Sequence, residues 1–143
     1  MRIQNLYFLL PLLALTLTLL SSSCDDDMPV PMAPTVNRTT VIIGSYTGTN
    51  LFGEDGSSFT EEDRRATATR TTDSTATLSV RSVLAGTLDL MVTMDTDTTF
   101  RVGNINIFDE GPYSGAGTVD DAGISVQLAT SDSKRYTYEG VRE

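Results

Sequence analysis

Histidine and tryptophan are absent from this chain of 143 residues, cysteine occurs once, and 10 basic residues face 19 acidic ones. Each shortage excludes something. Without histidine there is no Ser–His–Asp or Cys–His nucleophile, and the commonest metal ligand is missing. A single cysteine cannot close an internal disulfide, so the fold must rest on burial and hydrogen bonding. The net charge of −9 repels phosphate backbones and anionic lipids, which argues against nucleic acid as a partner. Neither a G-x-x-x-x-G-K-[ST] nor a G-x-G-x-x-G phosphate cradle occurs. No window carries the three-four spacing of an amphipathic helix.

One long apolar run is present. Residues Leu6 to Leu20 follow a single positive charge at Arg2 and give way to Ser21-Ser22-Ser23-Cys24. A charged start, a short apolar stretch and small residues before a cut make a secretory signal, too short for a comfortable span. The neighbourhood of Cys24 resembles a lipobox, which implies a bacterial lipoprotein: diacylglycerol on the thiol and cleavage just before it. Two acyl chains hold a protein at a membrane firmly where one does so marginally. Asp25, Asp26 and Asp27 come next and resemble the acidic export signal of Bacteroidota-type surface lipoproteins, implying the outer face of the outer membrane, with the periplasmic face as the alternative. Met28-Pro29-Val30-Pro31-Met32-Ala33-Pro34 then reads as an extended polyproline II tether. The expected organisation is 1–23 signal, 24–38 lipidated cysteine and tether, and 39–143 folded domain.

The domain is rich in threonine and glycine, which favour strands and turns. Leu78 and Val80, Leu88 through Met94, Ile105 and Ile107, Ile124 through Leu128, and Tyr136 and Tyr138 all recur with period two. That is the half-buried antiparallel pattern. Turn signals, among them Gly103-Asn104 and Asp120-Asp121-Ala122-Gly123, delimit strands near 40–49, 64–72, 75–83, 87–94, 98–102, 104–109, 112–119, 123–130 and 134–142. The fold class is therefore all-β: an antiparallel up-and-down meander of 8–9 strands closing into a barrel, with a β-sandwich as the alternative. An immunoglobulin sandwich lacks its cysteine pair and tryptophan here.

Gly44-Ser45-Tyr46 on the first strand and Tyr136 to Arg142 on the last resemble the ends of a lipocalin-like (calycin-like) barrel. The resemblance implies a floor in which Tyr46 meets a basic residue, Arg142 or Arg135, as a cation–π contact, with Gly44 beside them. Tyr46, Tyr136 and Tyr138 are expected in one neighbourhood.

Residues 50–63 read as the longest loop, a solvated one, in which Glu54, Asp55, Glu61, Glu62 and Asp63 offer oxygen ligands without the alternation of an EF-hand, while Leu51 and Phe52 could cap a barrel mouth. The pairs Glu61-Glu62, Asp95/Asp97 and Asp120-Asp121 fall in polar turns, where carboxylates stay ionised and make poor general acids. Asn37-Arg38-Thr39 matches a glycosylation triplet that a bacterial lipoprotein does not use. No catalytic residue, metal site or cofactor is expected. The expected function is a lipid-anchored, non-catalytic binding or interaction module, for a small ligand in the mouth or an envelope protein. The alternative is a structural or accessory subunit of an outer-membrane complex.

Overall fold

Period-two alternation becomes eight antiparallel strands in the computed structural model, which describes residues 37–54 and 56–143. They are β1 (Gly44–Glu54), β2 (Ser57–Arg70), β3 (Thr75–Ser82), β4 (Gly86–Met94), β5 (Thr99–Ile107), β6 (Glu110–Val119), β7 (Gly123–Ala129) and β8 (Arg135–Arg142). Each pairs with its sequence neighbour, and β8 returns to β1, with Tyr46 opposite Arg142 and Phe52 opposite Tyr136. The sheet is a closed up-and-down barrel. Eight strands enclose an interior just wide enough for side chains to fill. Tyr46, Leu78, Val80, Leu90, Val92, Phe100, Val126, Tyr136 and Tyr138 fill it, each fully buried.

The outer wall has the opposite character. Arg65, Thr67, Thr69, Arg81, Thr87, Asp89, Thr93, Arg101, Thr118, Gln127 and Glu139 alternate with the core and are exposed. A barrel that crosses a membrane carries its apolar band outside and its polar residues within. This wall is mostly hydroxylated and charged, with Leu51, Phe59, Met91 and Val141 as scattered exceptions, and carries no continuous apolar band. Among the described residues, no helix is long and apolar enough to cross a membrane.

Register slips separate the fold from a simple alternation, and two of them, besides one between Asn106 and Ile107, change the reading made from sequence. Of residues 50–63, expected as a loop, 50–54 are the second half of β1 and 57–63 the first half of β2, with Glu54 paired to Ser57. The register slips between Gly48 and Asn50, where Asp63 sits at φ 53. The extra residue of such a bulge switches the strand's phase: Ala66 and Ala68 face inward on one side of it, Glu61 on the other. The second irregularity is at Gly103-Asn104, expected as a turn between two strands. It is a bulge within β5, and the inward series passes from Phe100 and Val102 to Ile105 and Ile107. Nine expected strands thereby become eight.

The chain enters across one end. Residues 38–43, placed partly on the first strand from sequence, precede it: a 3-10 turn at Arg38–Thr40 leads to Ile42, which is fully buried. The turn is fastened to the β2–β3 turn by Arg38 N to Asp73 O (3.0 Å) and Thr39 Oγ1 to Thr72 O (3.2 Å), and to the β4–β5 turn by Arg38 Nη1 to Asp95 O (3.0 Å). Arg38, counted with the tether from sequence, lies against the barrel. This end is the floor. The calls of a signal, a lipidated Cys24, the aspartates 25–27 and a proline-rich tether fall outside the described residues.

Candidate functional site

At the floor, Arg142 lies 5.1 Å from the Tyr46 ring centroid, and its Nη2 donates to the Tyr46 hydroxyl at 2.9 Å. Its Nη1 donates to Ile43 O (3.0 Å), and its Nη2 also to Val41 O, so one guanidinium holds the entering segment. Tyr46 in turn donates to Ile42 O at 2.6 Å. Gly44 makes room: at φ 151, a Cβ there would stand 3.1 Å from Arg142 Nη1. Burial raises the Tyr46 pKa, and the neighbouring Arg142 charge and hydrogen bond oppose that rise only in part. Arg135 stands at the far end, opposite Gly53. The floor is a structural plug built around the Arg142 guanidinium.

The three tyrosines are not one cluster. Tyr138 faces Asn50 halfway up the wall, and Tyr136 faces Phe52 at the opposite rim. They form a column along the axis, with Tyr138 donating to Arg64 O (3.2 Å) and Tyr136 to Asn50 Oδ1 (2.9 Å). Burial pushes the Tyr138 hydroxyl up to about 12, and the Tyr136 hydroxyl higher still.

Asn50 links this column to a group that parity could not locate. Its Nδ2 donates to Glu61 Oε2 at 2.9 Å and to Arg81 O at 2.9 Å. Glu61 is 5 % exposed, and its Oε1 accepts from Ser82 Oγ (3.1 Å), Val83 N (3.0 Å) and Leu84 N (3.0 Å). The solvated turn carboxylate expected at this position is thus a buried anchor for the β3–β4 turn. Burial raises its pKa, but the bonds from Asn50, Leu84, Val83 and Ser82 outweigh it and hold the carboxyl below its usual value. A carboxylate stabilised in its ionised form is a poor proton donor. Of the carboxylates expected as oxygen ligands in this hairpin, Glu61 turns inward while Glu54 stands at the rim. Among the described residues, no three His, Cys, Asp or Glu side chains could hold a metal.

The rim opposite the floor is the mouth, and it differs in composition. The floor turns are threonine- and aspartate-rich, as in Asp95-Thr96-Asp97-Thr98. The mouth exposes Phe59 on β2, Val83 and Leu84 between β3 and β4, and Phe108 between β5 and β6. Phe52, Phe59, Phe108 and Tyr113 line a cleft of about 250 Å³, edged by Glu54, Glu110, Lys134 and Arg135. Phe52 stacks at 5.1 Å on both Phe108 and Tyr136, joining the cleft to the core. The Lys134 ammonium bridges Glu110 (2.7 Å) and Glu54 (3.0 Å), and these hydrogen bonds raise its pKa.

Phe108 carries the clearest strain. It and Asp109 have φ 58 and 55, the two central positions of a tight hairpin turn. Asparagine and glycine dominate such turns, and a bulky residue with positive φ is an outlier. The turn chemistry has been given up to hold an aromatic ring at the mouth, 41 % exposed. Of the two apolar residues expected at a barrel mouth, Phe52 lines the cleft, whereas Leu51 falls on the opposite face of β1 and is exposed outside it; the Phe-Asp dipeptide in a turn is the further clue.

Known proteins share the fold. No protein-family model matches the chain, and no curated protein matches it in sequence. A provisionally assigned outer membrane protein of Bacteroides fragilis superposes with a TM-score of 0.52 at 16 % identity, over 75 % of this chain and 53 % of that one. The chain thus spans about half the length of that neighbour. A redesigned β barrel superposes at 0.53 with 18 % identity, over 75 % of this chain and 96 % of the design. At such identities the likeness is one of fold.

Proposed function

We propose that this chain is a lipid-anchored, non-catalytic binding module of the bacterial outer membrane, held by Cys24 and binding through its barrel mouth. The observation that carries the reading is Phe108, kept exposed in a strained turn over an aromatic cleft. Strain at a surface ring is retained where the ring has a task. The cleft suits a flat apolar group, such as an aromatic ring, with polar substituents reaching Lys134, Arg135 or the two carboxylates. The polar outer wall supports a domain that works in water. The Bacteroides neighbour's name supports the outer membrane as the compartment, and Asp25, Asp26 and Asp27 support its outer face.

The test uses an anilinonaphthalene sulfonate dye as a flat aromatic probe. The native protein should bind it and brighten its fluorescence, and Phe108→Gly should not. That variant should melt no lower than the native protein, since glycine relieves a left-handed conformation costing about 1–2 kcal/mol. Equal dye binding by the variant would overturn the assignment of the cleft.

A further inference from the structure

The barrel is closed at every seam, but one seam is closed over only a third of its length. β4 and β5 pair through Val92–Val102, Thr93–Arg101 and Met94–Phe100, and there the ladder stops. Toward the mouth, Gly86–Met91 and Gly103–Ile107 have no backbone partner across the seam. Each edge is nevertheless held extended from behind. β4 pairs with β3 as far as Gly86, and β5 pairs with β6 as far as Ile107.

The bulge at Gly103-Asn104 explains the parting. β4 keeps strict alternation through Leu88, Leu90, Val92 and Met94, whereas β5 spends one extra residue between Val102 and Ile105. A strand bends at such a residue. Past it, β5 leaves β4 and follows β6. Gly103, Asn104 and Asn106 are exposed on one edge, as are Thr87, Asp89 and Met91 on the other. A Cβ at Gly103 would meet nothing within 4 Å. On the outer wall at the base of the slit lies an open depression of about 460 Å³, lined by Thr93, Arg101, Val102, Gly103, Ser114 and Gly115.

We propose that this slit docks an extended segment of a partner protein, added as a strand along the β5 edge and entering from the mouth. Unpaired N–H and C=O groups recurring along an extended chain are matched by another extended chain, the basis of strand addition. Proteins guard such edges with lysine or proline, and Gly103-Asn104-Ile105-Asn106-Ile107 carries neither, nor any charge. The partner segment is thus an uncharged stretch of alternating apolar and polar residues, its apolar side chains facing the interior beside the half-buried Ile105. The site is separate from the aromatic cleft and stands without it.

The test uses the full chain in detergent and a synthetic peptide copying Gly86–Met94 with asparagine in place of Asp89, an uncharged form of the sequence that would face this edge if the ladder ran to its end. In the free protein, amides of Gly103–Ile107 not bonded to β6 should exchange with deuterium far faster than those of Val92–Met94. The peptide should slow them, while a scrambled peptide should not. Deleting Gly103 restores alternation and lets β5 close onto β4, which should weaken peptide binding at least about tenfold, the equivalent of one lost net hydrogen bond. Asn104→Pro, outside the β5–β6 ladder, removes an edge donor and should do the same with the circular dichroism of the native fold. Equal protection of both edges in the free protein would overturn the proposal. So would peptide protection elsewhere, unchanged binding in both variants, or slow exchange arising only from dimerisation, which would give the slit to a second copy of the chain.

Discussion

Replacing Glu61 by alanine removes the acceptor of four hydrogen bonds, from Asn50, Ser82, Val83 and Leu84. Hydrogen bonds to a charged group contribute about 1.5–3 kcal/mol each, less what the carboxylate loses in leaving water. Val83 and Leu84 lie in an exposed turn where water can replace the carboxylate. Asn50 is fully buried, and its Nδ2 keeps only Arg81 O. The net cost should be about 3–4 kcal/mol, a large share of the roughly 5–15 kcal/mol that stabilises a domain. Glu61→Gln keeps one acceptor oxygen and should cost about half as much. Urea denaturation followed by circular dichroism measures both. The pH dependence gives the sign. The folded-state pKa lies below the ordinary 4.5, so the carboxylate's contribution is complete above that value and is lost as pH falls through the folded pKa. Native and Glu61→Ala proteins should therefore differ by a constant amount near neutrality and by less in acid. A cost under about 1 kcal/mol, or a difference that does not shrink in acid, would refute the role of this network.

Three further outcomes follow from the same packing. A chain ending at Asp132 loses Tyr136 and Tyr138, both fully buried, at about 3–5 kcal/mol for each aromatic side chain, besides opening two sheet edges. It should fail to melt cooperatively in calorimetry. Gly117→Ala would place a Cβ 2.2 Å from Phe100 Cζ and 2.3 Å from Ser125 O, and overpacking of this kind should cost about 1–3 kcal/mol in urea titration. Arg142→Leu frees the Val41 and Ile43 carbonyls, so hydrogen exchange at the Ile42 and Ile43 amides should accelerate more than exchange in β3 or β4.

Legibility followed a physical rule. Alternation reports which face a residue takes, so β3, β4, β7 and β8, whose phase never breaks, could be read residue by residue. A bulge erases that signal. Around Asp63 the phase switches and the inward residue is Glu61, so polar sequence and lost period together imitated a loop. Gly103-Asn104 imitated a turn for the same reason, since glycine and asparagine serve bulges as well as turns. Parity also carries no height. Tyr46 and Tyr136 share an inward face, but the register sets them six residues apart along β1, roughly 20 Å at strand rise. The aromatic mouth was hardest to read, because Phe108 breaks the turn preference by which turns are recognised.

A barrel that works in water on a lipid anchor, as proposed above, depends on Cys24. Cells expressing the full chain would be fed an alkyne fatty acid, then fractionated and probed with protease before lysis. The native protein should carry the label, fractionate with the outer membrane and be cleaved on intact cells, while Cys24→Ala should be unlabelled and leave the membrane fraction. Equal labelling of Cys24→Ala, or its retention in the membrane without label, would contradict the claim.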